Sequence, residues 1–217
     1  MNRMKLAGDQ DGAVLVEATV MMTLFFVFIL GSIDFLLLFY QWNAASKAAA
    51  VGARIAAVSD PVAVGLNSLS AAAVSASLSP PGGGMPYFQV TCNGGTASCI
   101  CEGACAGISG YDAAAMSTIV FGRGSTSCGD STSYYSSGMC DILPRITAAN
   151  VVISYRQTGL GYAGRPGGPA PTITLTLQNL SFEFFFLGGL FGSNALRMPA
   201  LTTSIVAEDL SSGAPSM

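Results

Sequence analysis

Residues 12–40 read GAVLVEATVMMTLFFVFILGSIDFLLLFY, and the only charged side chains in this stretch are those of Glu17 and Asp34. A helix needs roughly 20 mostly apolar residues to cross the roughly 30 Å of hydrocarbon in a bilayer. As a helix, residues 13–40 would be about 42 Å long, at about 1.5 Å per residue. No later stretch of the chain is as long and as apolar. The sequence therefore predicts a single membrane-spanning helix over about residues 13–40, which anchors the chain near its N-terminus.

Glu17 is the first candidate functional residue, because a carboxylate inside an apolar stretch is costly unless it is paired or neutralised. Gly12 ends a short polar leader, and Glu17 is the fifth residue after it. This spacing resembles the prepilin-type signal, in which a peptidase cuts after a glycine and a glutamate stands at position five of the mature chain. The resemblance implies a processing site between Gly12 and Ala13. Glu17 would then pair with the free amine of a neighbouring subunit and set the register. The alternative is that Glu17 lies at the membrane interface and reaches the headgroups.

Residues 43–59 continue the helix, because this stretch is rich in alanine, the strongest helix former. Small residues recur at four-residue spacing in two stripes, Ala44, Ala48, Gly52 and Ala56 in the first and Ala45, Ala49, Ala53 and Ala57 in the second. Stripes of small residues let helices approach closely. They predict either a helix–helix surface in a polymer or packing on the protein's own sheet, and the second reading is favoured for residues 50–58. Asp60 and Pro61 end the helix, since proline cannot continue it.

The rest of the chain mixes short helices and strands. Short helices are expected within residues 61–78 and 113–120, and strands at residues 87–92, 151–155, 172–177 and 202–207. The strand at residues 172–177 alternates threonine with isoleucine and leucine, which is typical of a half-buried strand. The Phe-rich segment, residues 182–191, carries five phenylalanines but is too short to span a bilayer. It is expected to be either core or a contact surface for the membrane or a partner.

Six cysteines follow the anchor, at Cys92, Cys99, Cys101, Cys105, Cys128 and Cys140. An even number of cysteines in a membrane-anchored chain predicts disulfides and an oxidising compartment. The sequence leaves their pairing open. This compartment places the N-terminus in the cytoplasm and the bulk of the chain outside it. Residues 92–140 are predicted to be a disulfide-bonded insertion that leaves the core.

Composition argues against several classes of function. The chain has no histidine, which removes the commonest general base and histidine-based zinc sites. No cysteine pair has the Cys-x-x-Cys spacing of a redox site, and the basic residues form no stripe that would bind nucleic acid. We therefore expect no catalytic, metal-binding or cofactor-binding residues, no cofactor and no enzymatic activity.

These pieces predict an α+β, pilin-like fold. Residues 1–12 form the leader and residues 13–58 the N-terminal helix. Residues 59–217 form an extracytoplasmic antiparallel sheet domain that carries the Cys-rich insertion.

The order of the motifs resembles the TadE-like proteins of the tight-adherence (Flp, type IVc) pilus apparatus. Gly12 and Glu17 are followed by a span ending in Asp34 and by the sequence Ala-x-x-Gly-Ala-Arg-x-Ala-Ala at residues 49–57. The similarity also includes residues 150–210. It implies a minor pseudopilin in the bacterial inner membrane that is cut by a prepilin peptidase and meets other pilus subunits and assembly-platform proteins. Whether the protein enters the fibre is left open.

A second hypothesis treats the chain as a permanently membrane-anchored binding or adhesion domain that no prepilin peptidase processes. It would bind a surface ligand through the insertion at residues 92–140. This hypothesis predicts no cleavage after Gly12 and no requirement for Glu17.

Overall fold

The structure is a computed structural model, and it describes residues 10–130, 137–191, 195–207 and 210–211. The chain divides into two compact units. The anchor unit contains the described parts of residues 1–40 and 182–196, and the sheet unit those of residues 41–181 and 197–217. The Phe-rich segment therefore belongs with the apolar helix.

The N-terminal helix, α1 (Gln10–Ala57), runs through 48 residues. The prediction that the helix continues beyond Trp42 is confirmed. Among the described residues, Gly12–Ala57 is the single stretch of helix that is long and apolar enough to cross a membrane, which fits membrane anchoring. Residues 1–9 of the predicted leader lie outside the described part of the chain.

The remaining elements confirm an α+β fold with antiparallel sheets. The strands are β1 (Ala63–Val64), β2 (Phe88–Asn93), β3 (Ser98–Gly103), β4 (Gly110–Tyr111), β5 (Val151–Arg156), β6 (Thr172–Leu177), β7 (Ser181–Glu183), β8 (Ala195–Arg197) and β9 (Leu201–Val206). The other helices are α2 (Leu69–Ser75), α3 (Ala113–Phe121), α4 (Met139–Ile142) and α5 (Leu187–Phe191), with single 3-10 turns at Leu66–Ser68 and Ala148–Asn150. The main sheet has the order β3-β2-β5-β6-β9, while β1 pairs with β4 and β7 with β8.

Strand β6 shows how the main sheet divides its two faces. Ile173, Leu175 and Leu177 are buried and the threonines between them are partly exposed, so the predicted alternation is confirmed. On the polar face, hydroxyl groups bond across neighbouring strands, Thr91 to Ser154 at 3.3 Å and Thr174 to Ser204 at 2.9 Å. The apolar face forms the core of the sheet unit.

The C-terminal part of α1 packs into this core. Ala48, Gly52 and Ala56 are buried, Ala44 is partly exposed, and the second stripe, Ala45, Ala49, Ala53 and Ala57, is buried as well. A Cβ atom on Gly52 would overlap Sδ of Met139 and would lie 3.0 Å from Cδ1 of Leu175. The small residues thus let the helix approach its own sheet unit, as the second of the two readings expected.

Two contacts fix the end of α1. The Arg123 guanidinium donates hydrogen bonds to the carbonyl oxygen of Val58 and, at 3.2 Å, to the hydroxyl of Ser59. A cation is favourable at the C-terminal end of a helix dipole. Three residues further on, the backbone N–H of Val62 donates to the buried hydroxyl of Tyr155 at 3.1 Å. Burial raises the pKa of that hydroxyl well above its ordinary value, so Tyr155 stays neutral where it holds this turn.

All six cysteines form disulfides, Cys92–Cys99, Cys101–Cys105 and Cys128–Cys140. The prediction that the Cys-rich segment leaves the core holds for residues 93–114, none of which is buried, but not for α3. β3 pairs along the whole of β2, and α3 buries Met116, Ile119 and Val120. The glycines, serines and cysteines that dominate the composition of this segment concealed the edge strand β3, whereas the short helix expected at residues 113–120 is present as α3.

Replacing Gly52 tests whether the small-residue stripe belongs to the protein's own core. Gly52→Leu should lower the free energy of unfolding of the dispersed, monomeric protein by about 1–3 kcal/mol, because the added side chain overpacks against Met139 and Leu175. Lys47→Leu, on an exposed position of the same helix, is the control and should change it little. Chemical denaturation measures both, and an unchanged Gly52→Leu variant would assign the stripe to contacts between subunits instead.

Candidate functional site on the apolar helix

Asp34 is the unusual residue of the apolar helix. Its side chain is fully buried, whereas the flanking Ile33 and Phe35 are 40% and 53% exposed. Most of the helix from Gly12 to Tyr40 is exposed in the same way. Asp34 is covered by the Phe-rich segment, whose contacting residues lie 151–153 positions later in the sequence.

The Asp34 carboxylate accepts hydrogen bonds from consecutive backbone N–H groups. Phe185 donates to Oδ1 at 3.1 Å, and Phe186 and Leu187 donate to Oδ2 at 3.0 and 2.8 Å. These donors lie at and just before the start of α5, where N–H groups have no partner within the helix. The negative charge also complements the positive end of the helix dipole. Asp34 therefore caps α5 from a distant part of the chain, and we call this arrangement the Asp34 clamp.

Gly31 completes the contact one helical turn before Asp34. Both residues are buried, and a Cβ atom on Gly31 would lie 3.6 Å from Cδ2 of Leu187. Alanine would fit in that space, but a longer side chain would displace Leu187. On one face of α1, Gly31 thus leaves room for the side chain of Leu187, and the Asp34 carboxylate accepts a hydrogen bond from the backbone of the same residue.

The Phe-rich segment divides between the two environments that its sequence allowed. Phe182 is buried and meets Phe184 edge to face, with ring centroids 5.0 Å apart. Phe185 and Phe186 are 76% and 46% exposed, although their backbone groups are held by the clamp. The segment is therefore partly core and partly a surface of exposed aromatic rings.

The predicted processing and registration residues lie on the first turns of α1. Gly12, Ala13 and Glu17 are all exposed, and Glu17 stands among the exposed side chains of Val16 and Met21. Ala13 and Glu17 are about 6 Å apart along the helix axis, at about 1.5 Å per residue. Glu17 is about 26 Å along the same axis from Asp34, so the two carboxylates do not share a site. Cleavage after Gly12 and a registration role for Glu17 stay predictions.

The described residues contain no group of three or more aspartate, glutamate or cysteine side chains that could hold a metal ion. The expectation of a protein without metal, cofactor or catalytic residues remains a prediction.

Residues 12–54 match the family model of TadE-like proteins. The match confirms the resemblance over the N-terminal helix, and it includes Gly12, Glu17 and Asp34. The second part of the resemblance, over residues 150–210, lies outside the TadE-like match and stays a prediction. No curated protein and no solved structure matches the chain.

Sequence reasoning missed the role of Asp34, which it noted only as a charge in the apolar stretch and as part of the TadE-like motif order. The signal was available, because Asp34 is the second carboxylate in the apolar stretch and the cost argument for Glu17 applies to it equally. Its partner was not recognisable, since backbone N–H groups leave no mark in a sequence.

Removing the carboxylate tests the Asp34 clamp. In Asp34→Leu, the amides of residues 185–187 lose their acceptor, so their hydrogen exchange should accelerate strongly while the amides of β6 keep their protection. Hydrogen exchange of the membrane-reconstituted protein, followed by mass spectrometry or NMR, measures the change. Glu17→Leu removes the other carboxylate of the same stretch and serves as the control, with unchanged exchange at residues 185–187. Equal exchange in the wild type and Asp34→Leu would contradict the clamp.

Proposed function

We propose that the protein is a minor pseudopilin, a membrane-anchored and non-enzymatic assembly subunit of a tight-adherence pilus. The match of residues 12–54 to the TadE-like family carries the proposal, because this family suggests a pilus-associated subunit. The matched residues include the helix that fits membrane anchoring. The protein would lie in the inner membrane with its N-terminus in the cytoplasm.

The start of α1 supplies the chemistry for assembly. Cleavage after Gly12 would create a free amine on Ala13 at the membrane face. Glu17 is exposed about one helical turn away, so it is accessible to the amine of a neighbouring subunit. A carboxylate paired with an ammonium group in an apolar environment is favourable relative to either charge alone. That pairing would fix the axial register between subunits.

The sheet unit supports an extracytoplasmic role. Its three disulfides are typical of proteins in an oxidising compartment. The chain has no histidine and no Cys-x-x-Cys pair, which favours contacts with other subunits and assembly-platform proteins over catalysis. A permanently anchored binding domain remains the alternative, and the processing of the N-terminus separates the two.

The N-terminus of the membrane-extracted protein tests the proposal. Intact mass should show the loss of residues 1–12 in the wild type, and Gly12→Ala should abolish this loss because the peptidase requires the glycine before the cut. Gly8→Ala changes the other glycine of the leader and should be processed normally.

Two results would contradict the processing step. A wild-type protein that keeps Met1 would favour the permanently anchored binding domain. A cut beyond Trp42 would exclude both functions, because the apolar helix would then be a removable signal.

A further inference from the structure

The Asp34 clamp pairs two groups that would each be satisfied by water. An exposed carboxylate is hydrated, and so are the free N–H groups at the start of a helix. In hydrocarbon both are costly, because no solvent can replace the missing hydrogen bonds. In the clamp Asp34 is fully buried, and both of its carboxylate oxygens accept hydrogen bonds from the N–H groups of residues 185–187. The polar groups are thus hidden.

The side chains around the clamp show the opposite preference. Phe185 and Phe186 are 76% and 46% exposed, and the one charged residue of the Phe-rich segment, Glu183, precedes them in the sequence. On the same stretch of α1, Phe35 and Leu36 are 53% and 68% exposed. The exposed rings of the Phe-rich segment therefore continue the apolar surface of the anchor helix. Hidden polar groups and exposed apolar side chains are typical of a surface that faces lipid.

The depth of the clamp agrees with this environment. Tyr40 is 70% exposed at the end of the apolar stretch, where tyrosine and tryptophan collect at the membrane interface. Asp34 lies six residues before Tyr40, which is about 9 Å along the helix axis. One leaflet of hydrocarbon is about 15 Å thick. The residues that Asp34 holds would therefore lie within the outer part of the hydrocarbon.

We propose that the Phe-rich segment is inserted in the membrane beside α1, with Phe185 and Phe186 among the acyl chains and with Asp34 holding its backbone. The segment would give a single-span protein a second point of membrane contact. Irregular backbone is tolerated at this depth only when its polar groups are satisfied within the protein, and Asp34 does this for the N–H groups of residues 185–187. The proposal rests on the membrane anchoring included in the proposed function, but not on a pilus role or on cleavage after Gly12.

Fluorescence quenching of the full-length protein in lipid nanodiscs tests the insertion. The chain has one tryptophan, Trp42, so Trp42→Phe provides a silent background for Phe185→Trp. Lipids brominated on their acyl chains should quench Phe185→Trp to a degree similar to Phe25→Trp, an exposed position within the span. The aqueous quencher acrylamide should reach neither. Tyr162→Trp, an exposed position of the sheet unit, is the control and should show the reverse pattern.

The other outcomes each overturn the insertion in a distinguishable way. If acrylamide quenches Phe185→Trp while brominated lipid quenches Phe25→Trp, the segment faces water and only the anchor stands. If neither quencher reaches Phe185→Trp, a protein surface such as a second copy covers it. If brominated lipid fails to quench Phe25→Trp as well, membrane anchoring itself is wrong.

Asp34→Leu in the Phe185→Trp background tests what holds the segment. We expect Phe185→Trp to lose its quenching by brominated lipid and to become accessible to acrylamide, because residues 185–187 would then carry unpaired N–H groups. Phe25→Trp with the same Asp34→Leu change should remain quenched by lipid, which shows that the helix still spans. Unchanged quenching of Phe185→Trp would show that Asp34 does not hold the Phe-rich segment in the membrane.

Discussion

The carboxylate of Asp34 accepts hydrogen bonds from three consecutive backbone N–H groups, those of Phe185, Phe186 and Leu187. The structure of the anchor unit depends on these hydrogen bonds. An unpaired carboxylate in the apolar stretch would oppose membrane insertion, and so would unpaired amides at the start of α5. The hydrogen bonds between the carboxylate and the amides remove the free-energy cost of burying either group unpaired. The apolar helix therefore accommodates a carboxylate near the end of its apolar stretch, and a second segment of the chain lies against it with two of its aromatic rings exposed.

The helix α1 meets a different constraint beyond Tyr40. There its small residues are buried in the sheet unit, and Gly52 leaves room for Met139 and Leu175. Close approach of helix and sheet, rather than a broad apolar stripe of large side chains, provides this part of the core. The helix end is then fixed by Arg123 and by the buried hydroxyl of Tyr155. The same helix thus has an exposed apolar part and a buried small-residue part, which its sequence composition already separates.

Local patterns predicted strands β2, β5, β6 and β9 and helices α2 and α3, but they predicted neither β3 nor the contacts between distant residues. The alternation at residues 172–177 predicted β6 with its observed bounds, because a strand with one buried face must repeat every two residues. The even number of cysteines predicted disulfides but not the pairs, since pairing depends on strand register such as Cys92 opposite Cys99. Glu17 and Asp34 were equally visible as charges. Only the fold shows that Asp34 meets residues 185–187, because its partners are backbone groups that every sequence contains.

The most direct test of the clamp is a distance measured in the bilayer. Solid-state NMR of the wild-type protein, labelled at the side-chain carboxyl carbon of Asp34 and the backbone nitrogen of Leu187, reports the dipolar coupling between these atoms. The hydrogen bond of 2.8 Å between Leu187 N and Asp34 Oδ2, an oxygen bonded to the labelled carbon, predicts a measurable coupling in lipid. Absence of the coupling, in a sample whose α1 signals show an intact helix, would contradict the clamp and the membrane-inserted segment that depends on it.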